Sequence, residues 1–235
     1  MRVTSAANPR VKQARRLRSG RERRATGRML VEGERELARA VAAGVAVETL
    51  FLCPDHGGAA PPGLACEVVE VSPRVMARLA VRDNAPVVAV ARIPERPLAR
   101  LPRPPRPVYL VADRLEKPGN LGALLRSADG AGVDGVIVCG GDPWAPQAVR
   151  ASLGTCFTLP LAVAEAEQAL AWLGGLPVVV ATPEAERLYT EAPLWGAIVV
   201  GREDTGVSEP WRRAATLRVR IPMRGAADSL NAAQT

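Results

Sequence analysis

Residues 108–139 decide the fold, and they read VYLVADRLEKPGNLGALLRSADGAGVDGVIVC. The segment begins with an apolar run at 108–112 and ends with another at 133–139. Both runs are rich in Val, which is typical of strands that are buried on both faces. Between them, a loop with Pro and Gly leads into a helical pattern at 121–131. This order of strand, helix and strand indicates a parallel sheet that is covered by helices.

The same alternation continues toward the carboxyl end of the chain. It predicts an α/β domain with a mostly parallel sheet and helices on both faces. The further predicted strands lie near 158–161, 178–181, 197–201 and 217–221, and the further predicted helices lie at 147–152, 165–173 and 207–214.

Upstream of this domain the composition changes. Residues 94–107 hold six prolines and almost no hydrophobic periodicity, which predicts a semi-rigid linker. Before the linker, strand and helix patterns alternate over residues 29–93 and predict a small α/β/α sandwich. We therefore expect an N-terminal domain at 1–94, a Pro/Arg-rich linker at 95–107 and a C-terminal domain at 108–235.

The chain is basic, with a formal net charge of +7, which favours a polyanionic partner over a neutral metabolite. In residues 1–28, ten basic side chains stand against one acidic side chain. A helix can begin after Asn8, with this residue as its N-cap and Pro9 in its first turn. Two interpretations stay open: a solvated or disordered arm, or a segment that contacts phosphates. The candidate phosphate contacts are Arg10, Lys12, Arg15, Arg16 and Arg18.

The sequence argues against a metal site, a secretory signal and a membrane span. Its four cysteines, Cys53, Cys66, Cys139 and Cys156, form no Cys-x-x-Cys pair, and we expect them to be buried thiols in a reducing compartment. His56 is the only histidine, and zinc needs more ligands at closer spacing. No apolar run approaches the roughly 20 residues of a membrane span. We expect a cytoplasmic protein without metal.

Three loops follow predicted strands, at 113–122, 201–206 and 221–231. Ligands bind beyond the carboxyl ends of strands in open α/β sheets, so these loops form the candidate site. The first loop places Asn120 before a helix, where backbone N–H groups suit an anion, and Arg126 follows within two helical turns. Taken alone, the pair could instead be a capping asparagine and a surface arginine. None of the loops has the GK[ST] ending of a P-loop or the GxGxxG spacing.

Taken together and in order, the three loops resemble the motifs of the SpoU (TrmH-like) RNA methyltransferases of the SPOUT superfamily. The run EKPGNLGALLRSAD at 116–129 is similar to motif 1, VVGREDTGVS at 199–208 to motif 2, and IPMRG with DSLN at 221–231 to motif 3. Through residues 8–12 and 31–33, the N-terminal half is similar to the substrate-binding domain of members that act on ribosomal RNA, a domain related to ribosomal protein L30e.

The resemblance implies an L30e-like sandwich followed by a SPOUT domain with a trefoil knot, in an obligatory homodimer. It implies transfer of a methyl group from S-adenosylmethionine to a ribose 2′-hydroxyl of RNA. The cofactor would be held largely by backbone groups around Thr182, Gly201, Ile221 and Leu230.

The resemblance also implies a set of catalytic residues, which are Arg126, Asn120, Glu203, Ser229 and Asn231. Arg126 would contact the 2′-hydroxyl or an adjacent phosphate. Because an arginine guanidinium keeps its proton in proteins, we expect this side chain to position groups and stabilise charge rather than to act as a general base. The other four would orient the ribose and the loops by hydrogen bonds, although Glu203 could equally be structural.

Three hypotheses about the activity follow from the resemblance. We favour 23S ribosomal RNA as the substrate because transfer RNA members of the family usually lack the N-terminal domain, and transfer RNA is the alternative. Family members continue past the Ser-Leu-Asn loop into a further helix, whereas this chain stops at Thr235, so we expect a C-terminal domain without that helix. A catalytically silent RNA-binding homologue is therefore the third hypothesis, which the five intact catalytic candidates oppose.

Overall fold

The computed structural model describes residues 2–193, 195–223, 225 and 230–231. The helices are α1 (Pro9–Arg16), α2 (Gly20–Thr26), α3 (Glu34–Ala42), α4 (Pro73–Leu79), α5 (Pro118–Ala131), α6 (Pro146–Ala151), α7 (Thr155–Thr158), α8 (Ala166–Leu173) and α9 (Glu209–Ala214). The strands are β1 (Arg28–Glu32), β2 (Val47–Leu52), β3 (Glu67–Glu70), β4 (Val87–Arg92), β5 (Val108–Asp113), β6 (Gly135–Cys139), β7 (Leu161–Val163), β8 (Val178–Ala181), β9 (Arg187–Leu188), β10 (Gly196–Val200) and β11 (Leu217–Arg220).

The chain folds into two compact units. The first unit comprises residues 1–94 together with Trp144–Thr158, and the second comprises Glu95–Pro143 and residues 159–235. From the sequence we expected α6 and α7 to belong to the C-terminal domain, because they lie within residues 108–235. The structure places both helices in the first unit instead. Local patterns report whether a segment is helical and amphipathic, but they do not report which core its apolar face will join.

The first unit is an α/β/α sandwich around a four-stranded sheet in the order β1-β4-β2-β3. The β1–β4 and β4–β2 pairs are antiparallel, and the β2–β3 pair is parallel. Helices α1 and α4 share a core with one face of the sheet. Helices α3 and α6 pack on β1, and α7 packs on α3. Both faces are therefore covered by helices.

Helix α1 is ordered and packed against the sandwich rather than forming a disordered arm. The Asn8 side chain accepts a hydrogen bond from the Arg10 amide, and Pro9 occupies the first turn, as the sequence predicted. The helix buries Val11 and Ala14 at helical spacing, and Leu17, directly after its last residue, is buried as well. The charged side chains between these positions are therefore displayed on the opposite face.

Two arginines of the basic stretch have structural partners. Arg18 donates from Nη2 to the carbonyl oxygens of Leu79 and Ala80, at the end of α4. Arg23, which is buried, donates from Nη1 to the carbonyl oxygens of Leu17 and Arg18, at 2.7 and 2.9 Å. Because helix ends leave carbonyl groups without intrahelical partners, these guanidinium groups stabilise the ends of α1 and α4.

The second unit is built on a seven-stranded sheet in the order β7-β6-β5-β10-β8-β11-β9, in which every pairing is parallel. In the register of the sheet, Ala112 of β5 stands beside Val200 of β10, and Ala181 of β8 stands beside Val219 of β11. The loops that follow these four strands therefore leave from the same edge of the sheet. The predicted trefoil knot lies in the C-terminal chain, where residues 224, 226–229 and 232–235 are outside the described residues.

One strand of this sheet lies further along the chain than the sequence predicted. The sequence placed it at 158–161, whereas residues 155–158 form the short helix α7 and the strand β7 spans Leu161–Val163, paired with Val136–Val138 of β6. The run CFTLPLAV at 156–163 is apolar except for Thr158, and periodicity does not separate a short buried helix from a short buried strand. Pro160 lies directly between the two elements.

The Pro/Arg-rich segment packs on the second unit. Leu98 and Leu101 join the core of this unit, and the guanidinium of Arg103 lies 4.5 Å from the ring centroid of Trp172. Arg103 also donates from Nη2 to the carbonyl oxygen of Trp172 at 2.7 Å. The side chain of Tyr109 in turn meets this indole edge-on, with 5.1 Å between centroids. These contacts hold the segment on the domain that follows it.

No helix among the described residues is long and apolar enough to cross a membrane.

Candidate active site

A cavity of about 500 Å³ opens at the carboxyl edge of the parallel sheet. It is lined by the loops that follow β8, β10 and β11, and by Leu230. Thr182, Gly201, Ile221 and Leu230, which the family resemblance implies as cofactor contacts, all line it. The volume falls within the range of about 300–1,000 Å³ that small-molecule and cofactor sites occupy.

The wall of the cavity at 201–206 is a tight loop. The backbones of Arg202 and Gly206 pair with each other, with N···O distances of 3.2 and 3.0 Å. A Cβ atom on Gly201 would lie within 3.0 Å of the carbonyl carbon of Gly206 and the amide nitrogen of Val207. Because these obstacles are backbone atoms, only glycine fits at 201. The loop therefore packs its own backbone closely together at the cavity wall.

A chain of hydrogen bonds joins three of the implied catalytic residues. Asn231 donates from Nδ2 to Oδ1 of Asn120 at 3.2 Å, and Asn120 donates from its own Nδ2 to Oε1 of Glu203. The three side chains come from the last described segment, from α5 and from the 201–206 loop, so the fold brings together residues that are far apart in sequence. Glu203 also lines the cavity, which connects the polar chain to it.

Arg202 is a residue of the site that the sequence analysis did not single out. It donates to the Asp204 carboxylate through both Nε and Nη2, at 2.9 and 2.8 Å, and to Glu116 through Nη1 at 2.7 Å. The hydrogen bond from Arg202 is the largest cause of the lowered pKa of Asp204. Arg202 therefore ties the 201–206 loop to the loop after β5. The signal was present in the sequence as an arginine directly before two acidic residues, Glu203 and Asp204.

Asp113, the last residue of β5, is buried and has a structural role. Its Oδ2 accepts a hydrogen bond from the Ser208 amide at 2.5 Å, next to the start of α9. A buried carboxylate that accepts from a backbone N–H is satisfied and fixes the direction of the chain. This contact positions α9 behind the cavity.

Arg126 stands apart from the cavity lining in its own chain. It is exposed on α5 and has no side-chain partner among the described residues. Six helical residues separate it from Asn120, which corresponds to about 9 Å along the axis and about 120° around it. Ser229, the remaining implied catalytic residue, lies outside the described residues.

The implied RNA contacts of the first unit differ in their surroundings. Lys12 and Arg15 are exposed on α1. Arg10 pairs with Glu67 at 2.8 Å and Arg16 with Glu22 at 3.5 Å, and all four of these side chains remain accessible. Arg18 is occupied by the end of α4, as described above. The exposed face of α1 is therefore available to a phosphate.

Cys139, at the end of β6, does not have the properties of a nucleophile. Burial raises the pKa of its thiol to about 12, and the Asp113 carboxylate adds to the shift. The other buried thiols are Cys53 and Cys156, and Cys66 is half-buried. Within the described residues, no group of three or more His, Cys, Asp and Glu side chains could hold a metal ion.

We expect Cys139 to resist alkylation by iodoacetamide in the native protein at about pH 8.5, because thiolate rather than thiol is the reactive form. The half-buried Cys66 provides the internal comparison and should be labelled faster. Peptide mass mapping after timed labelling measures both rates, and denaturation in urea should remove the difference. Rapid native labelling of Cys139 would contradict the buried, protonated state.

Comparison with known families identifies both parts of the chain. The model of the SpoU rRNA Methylase family matches residues 107–235, and the model of the MRM3-like substrate binding domain matches residues 8–89.

Relatives and solved structures extend this match to nearly the whole chain. The 23S rRNA (uridine(2479)-2′-O)-methyltransferase of Streptomyces viridochromogenes is 33% identical over 99% of this chain and 88% of its own length. A solved RNA 2′-O ribose methyltransferase is 44% identical, with a TM-score of 0.85 over 100% of this chain and 94% of that one. The AdoMet-bound rRNA methyltransferase from Sinorhizobium meliloti is 32% identical, with a TM-score of 0.86 over 100% and 93%.

Proposed function

This chain belongs to the SpoU rRNA methylase family, and from that premise we propose that it transfers a methyl group from S-adenosylmethionine to a ribose 2′-hydroxyl of 23S ribosomal RNA. The observation that carries the proposal is the cavity at the carboxyl edge of the sheet, joined through Glu203 to Asn120 and Asn231. It offers a ligand site and a cluster of hydrogen-bonding groups in one place. Relatives that act on RNA and solved members with AdoMet bound support the substrate and the cofactor.

The residues present fit S-adenosylmethionine. An adenine needs an apolar slot with backbone partners, and the ends of β8, β10 and β11 supply both around Thr182, Gly201 and Ile221. Because a Cβ atom at 201 would collide with the backbone of Gly206 and Val207, the shape of this cavity wall depends on glycine. When bound, the cofactor supplies a methyl group on a sulfonium, which is electrophilic without a metal.

The protein has to orient the 2′-hydroxyl, because a neutral hydroxyl is a weak nucleophile at pH 7. Asn120, Asn231 and Glu203 supply amide and carboxylate groups for this at the rim of the cavity, and we assign Ser229 to the same set. Glu203 also accepts the hydrogen bond that holds Asn120 in place. Glu203 can therefore position Asn120 and contact the ribose at the same time.

We assign Arg126 to the RNA rather than to the cofactor. A guanidinium offers N–H donors and no acceptor, so Arg126 does not take the proton of the 2′-hydroxyl. It can instead bind a phosphate next to the target ribose in a bidentate manner and stabilise negative charge as it develops on the 2′-oxygen. An adjacent phosphate is then the candidate proton acceptor.

We further propose that the enzyme acts as a homodimer in the cytoplasm. Arg126 is exposed and lies outside the lining of its own cavity, which is the placement that a site shared by two copies requires. Mixing an Arg126→Ala chain with a Gly201→Ala chain tests this directly. If each site draws on both copies, the mixture regains activity that neither variant has. If every site is built from one copy, the mixture stays inactive.

The chemistry is tested by incubating the chain with methyl-labelled S-adenosylmethionine and unmodified 23S ribosomal RNA. Label in alkali-resistant dinucleotides establishes 2′-O-methylation, because the methylated ribose cannot take part in alkaline cleavage. Label that appears only with transfer RNA would indicate that transfer RNA is the substrate instead. Binding of S-adenosylhomocysteine without labelling of either RNA would contradict the proposed activity, whereas no binding at all would favour a silent RNA-binding homologue.

Replacing Lys12, Arg15 and Arg16 together by alanine should weaken RNA binding and flatten its dependence on salt. Each phosphate contact that is lost reduces the steepness of the plot of log binding constant against log salt concentration by about 0.7 for single-stranded RNA. Fluorescence anisotropy with a 23S fragment over a salt series measures the slope. An unchanged slope would indicate that the exposed face of α1 is solvated and does not contact RNA phosphates.

Arg18→Ala is the matched control for that experiment, because Arg18 donates to the carbonyl oxygens at the end of α4. It should leave the salt slope nearly unchanged and lower the free energy of unfolding by about 1–2 kcal/mol.

A further inference from the structure

The cavity has a second charged region, which the proposed chemistry does not use. It contains Glu184 from the loop after β8, Arg212 from α9 and Arg218 from β11. Thr182, which also lines the cavity, donates a hydrogen bond from its hydroxyl to Glu184 Oε2. This hydrogen bond is the largest cause of the lowered pKa of Glu184, so its carboxylate is ionised at neutral pH.

The arginines that line the cavity differ in what they already bind. Arg202 is held by Asp204 and Glu116. Arg212 pairs with Glu209 at 3.3 Å. Arg218 donates from Nη2 to the carbonyl oxygen of Arg212 at 3.2 Å, and in the described part of the chain it has no carboxylate partner. A guanidinium has five N–H donors, so Arg218 keeps most of its capacity for an anionic ligand.

We propose that Arg218 and Glu184 form the subsite for the amino-acid end of S-adenosylmethionine, with Arg218 binding the α-carboxylate and Glu184 binding the α-ammonium group. This inference rests on the proposed function. At neutral pH the methionine moiety of the cofactor is a zwitterion, and the cavity offers one group of each complementary charge. The apolar strand ends around Gly201 and Ile221 then accept the adenine, and the Glu203–Asn120 side faces the RNA. A guanidinium is suited to this task because its planar fork matches a carboxylate.

The experiment compares three ligands by isothermal titration calorimetry. S-Adenosylhomocysteine carries both charges, S-adenosyl-3-thiopropylamine lacks the carboxylate, and 5′-methylthioadenosine lacks both groups. Arg218→Ala should weaken S-adenosylhomocysteine by about ten- to a hundredfold, because the charge-assisted hydrogen bonds to the carboxylate are lost, and should leave the affinities of the other two ligands within about twofold. Glu184→Gln should weaken the first two ligands and leave 5′-methylthioadenosine unchanged.

Arg213→Ala is the matched control, because Arg213 lies next to Arg212 on α9, pairs with Glu209 at 2.7 Å and does not line the cavity. It should leave all three affinities unchanged. Arg218→Lys keeps the charge without the fork and should fall between the wild type and Arg218→Ala for S-adenosylhomocysteine alone.

Two results would overturn the inference while leaving the proposed function intact. If Arg218→Ala weakens 5′-methylthioadenosine as much as S-adenosylhomocysteine, Arg218 shapes the cavity rather than reading the carboxylate. If Arg218→Ala leaves S-adenosylhomocysteine unchanged and weakens only RNA, its ligand is a phosphate. If the wild-type chain binds none of the three ligands, the proposed function itself fails, and the inference fails with it.

Discussion

Arg126→Ala is expected to abolish methyl transfer and to leave the affinity for S-adenosylhomocysteine within a few-fold. The side chain lies on the exposed face of α5, outside the lining of the cavity, so its removal leaves the cofactor site of its own chain intact. What is lost is the charge that we assign to the phosphate and to the developing negative charge on the 2′-oxygen. Losing one such preorganised donor costs on the order of a hundred- to a thousandfold in rate.

Initial rates with labelled cofactor and saturating RNA, together with calorimetry of S-adenosylhomocysteine, measure the two effects separately. Arg126→Lys provides the graded comparison. It keeps the charge but loses the bidentate fork, so its rate should lie between those of the wild type and Arg126→Ala. A wild-type rate for Arg126→Ala would show that this residue takes no part in the mechanism and is a surface arginine.

Gly201→Ala is expected to have the opposite profile, with loss of cofactor binding as the primary defect. The new Cβ would lie within 3.0 Å of backbone atoms of Gly206 and Val207, and neither of these can rotate away. The 201–206 loop must therefore open, which displaces Glu203 and Arg202 from Asn120 and Glu116. Forcing one extra carbon into such a contact destabilises a fold by about 1–3 kcal/mol.

Calorimetry of S-adenosylhomocysteine and urea unfolding test this prediction, with Gly130→Ala as the matched control. Gly130 lies in α5 and a Cβ there meets nothing within 4 Å. The control should retain cofactor binding and gain about 0.4–1 kcal/mol of stability, because alanine restricts the unfolded chain. Full cofactor affinity in Gly201→Ala would show that the loop is not part of the site.

The two variants together separate the steps of the proposed reaction. Calorimetry distinguishes a chain that cannot bind the cofactor from a chain that binds it without transferring its methyl group. This distinction can be made before any RNA site is known. Neither outcome depends on which nucleotide is methylated.

Much of the fold follows from local chemistry. Asn8 and Pro9 begin α1 because a side-chain acceptor and a residue without N–H both suit a helix start. The runs at 108–112 and 178–181 became central parallel strands because continuous apolar β-formers can be buried on both faces. The order of strands and helices then required the loops after β5, β10 and β11 to leave from one edge. Family resemblance, rather than local pattern, supplied the cofactor and the reaction.

The sequence by itself therefore determined the two α/β folds, the edge at which the site lies and the residues Asn120, Glu203 and Asn231 that meet there. Only the tertiary structure decided where α6 and α7 pack, which arginines are occupied and which are available, and that Arg126 lies outside its own cavity. The physical reason is that propensity and periodicity act over a few neighbouring residues. The partner of a guanidinium such as Arg18, Arg202 or Arg218 depends instead on which distant carbonyl or carboxylate the packed chain brings within hydrogen-bonding distance.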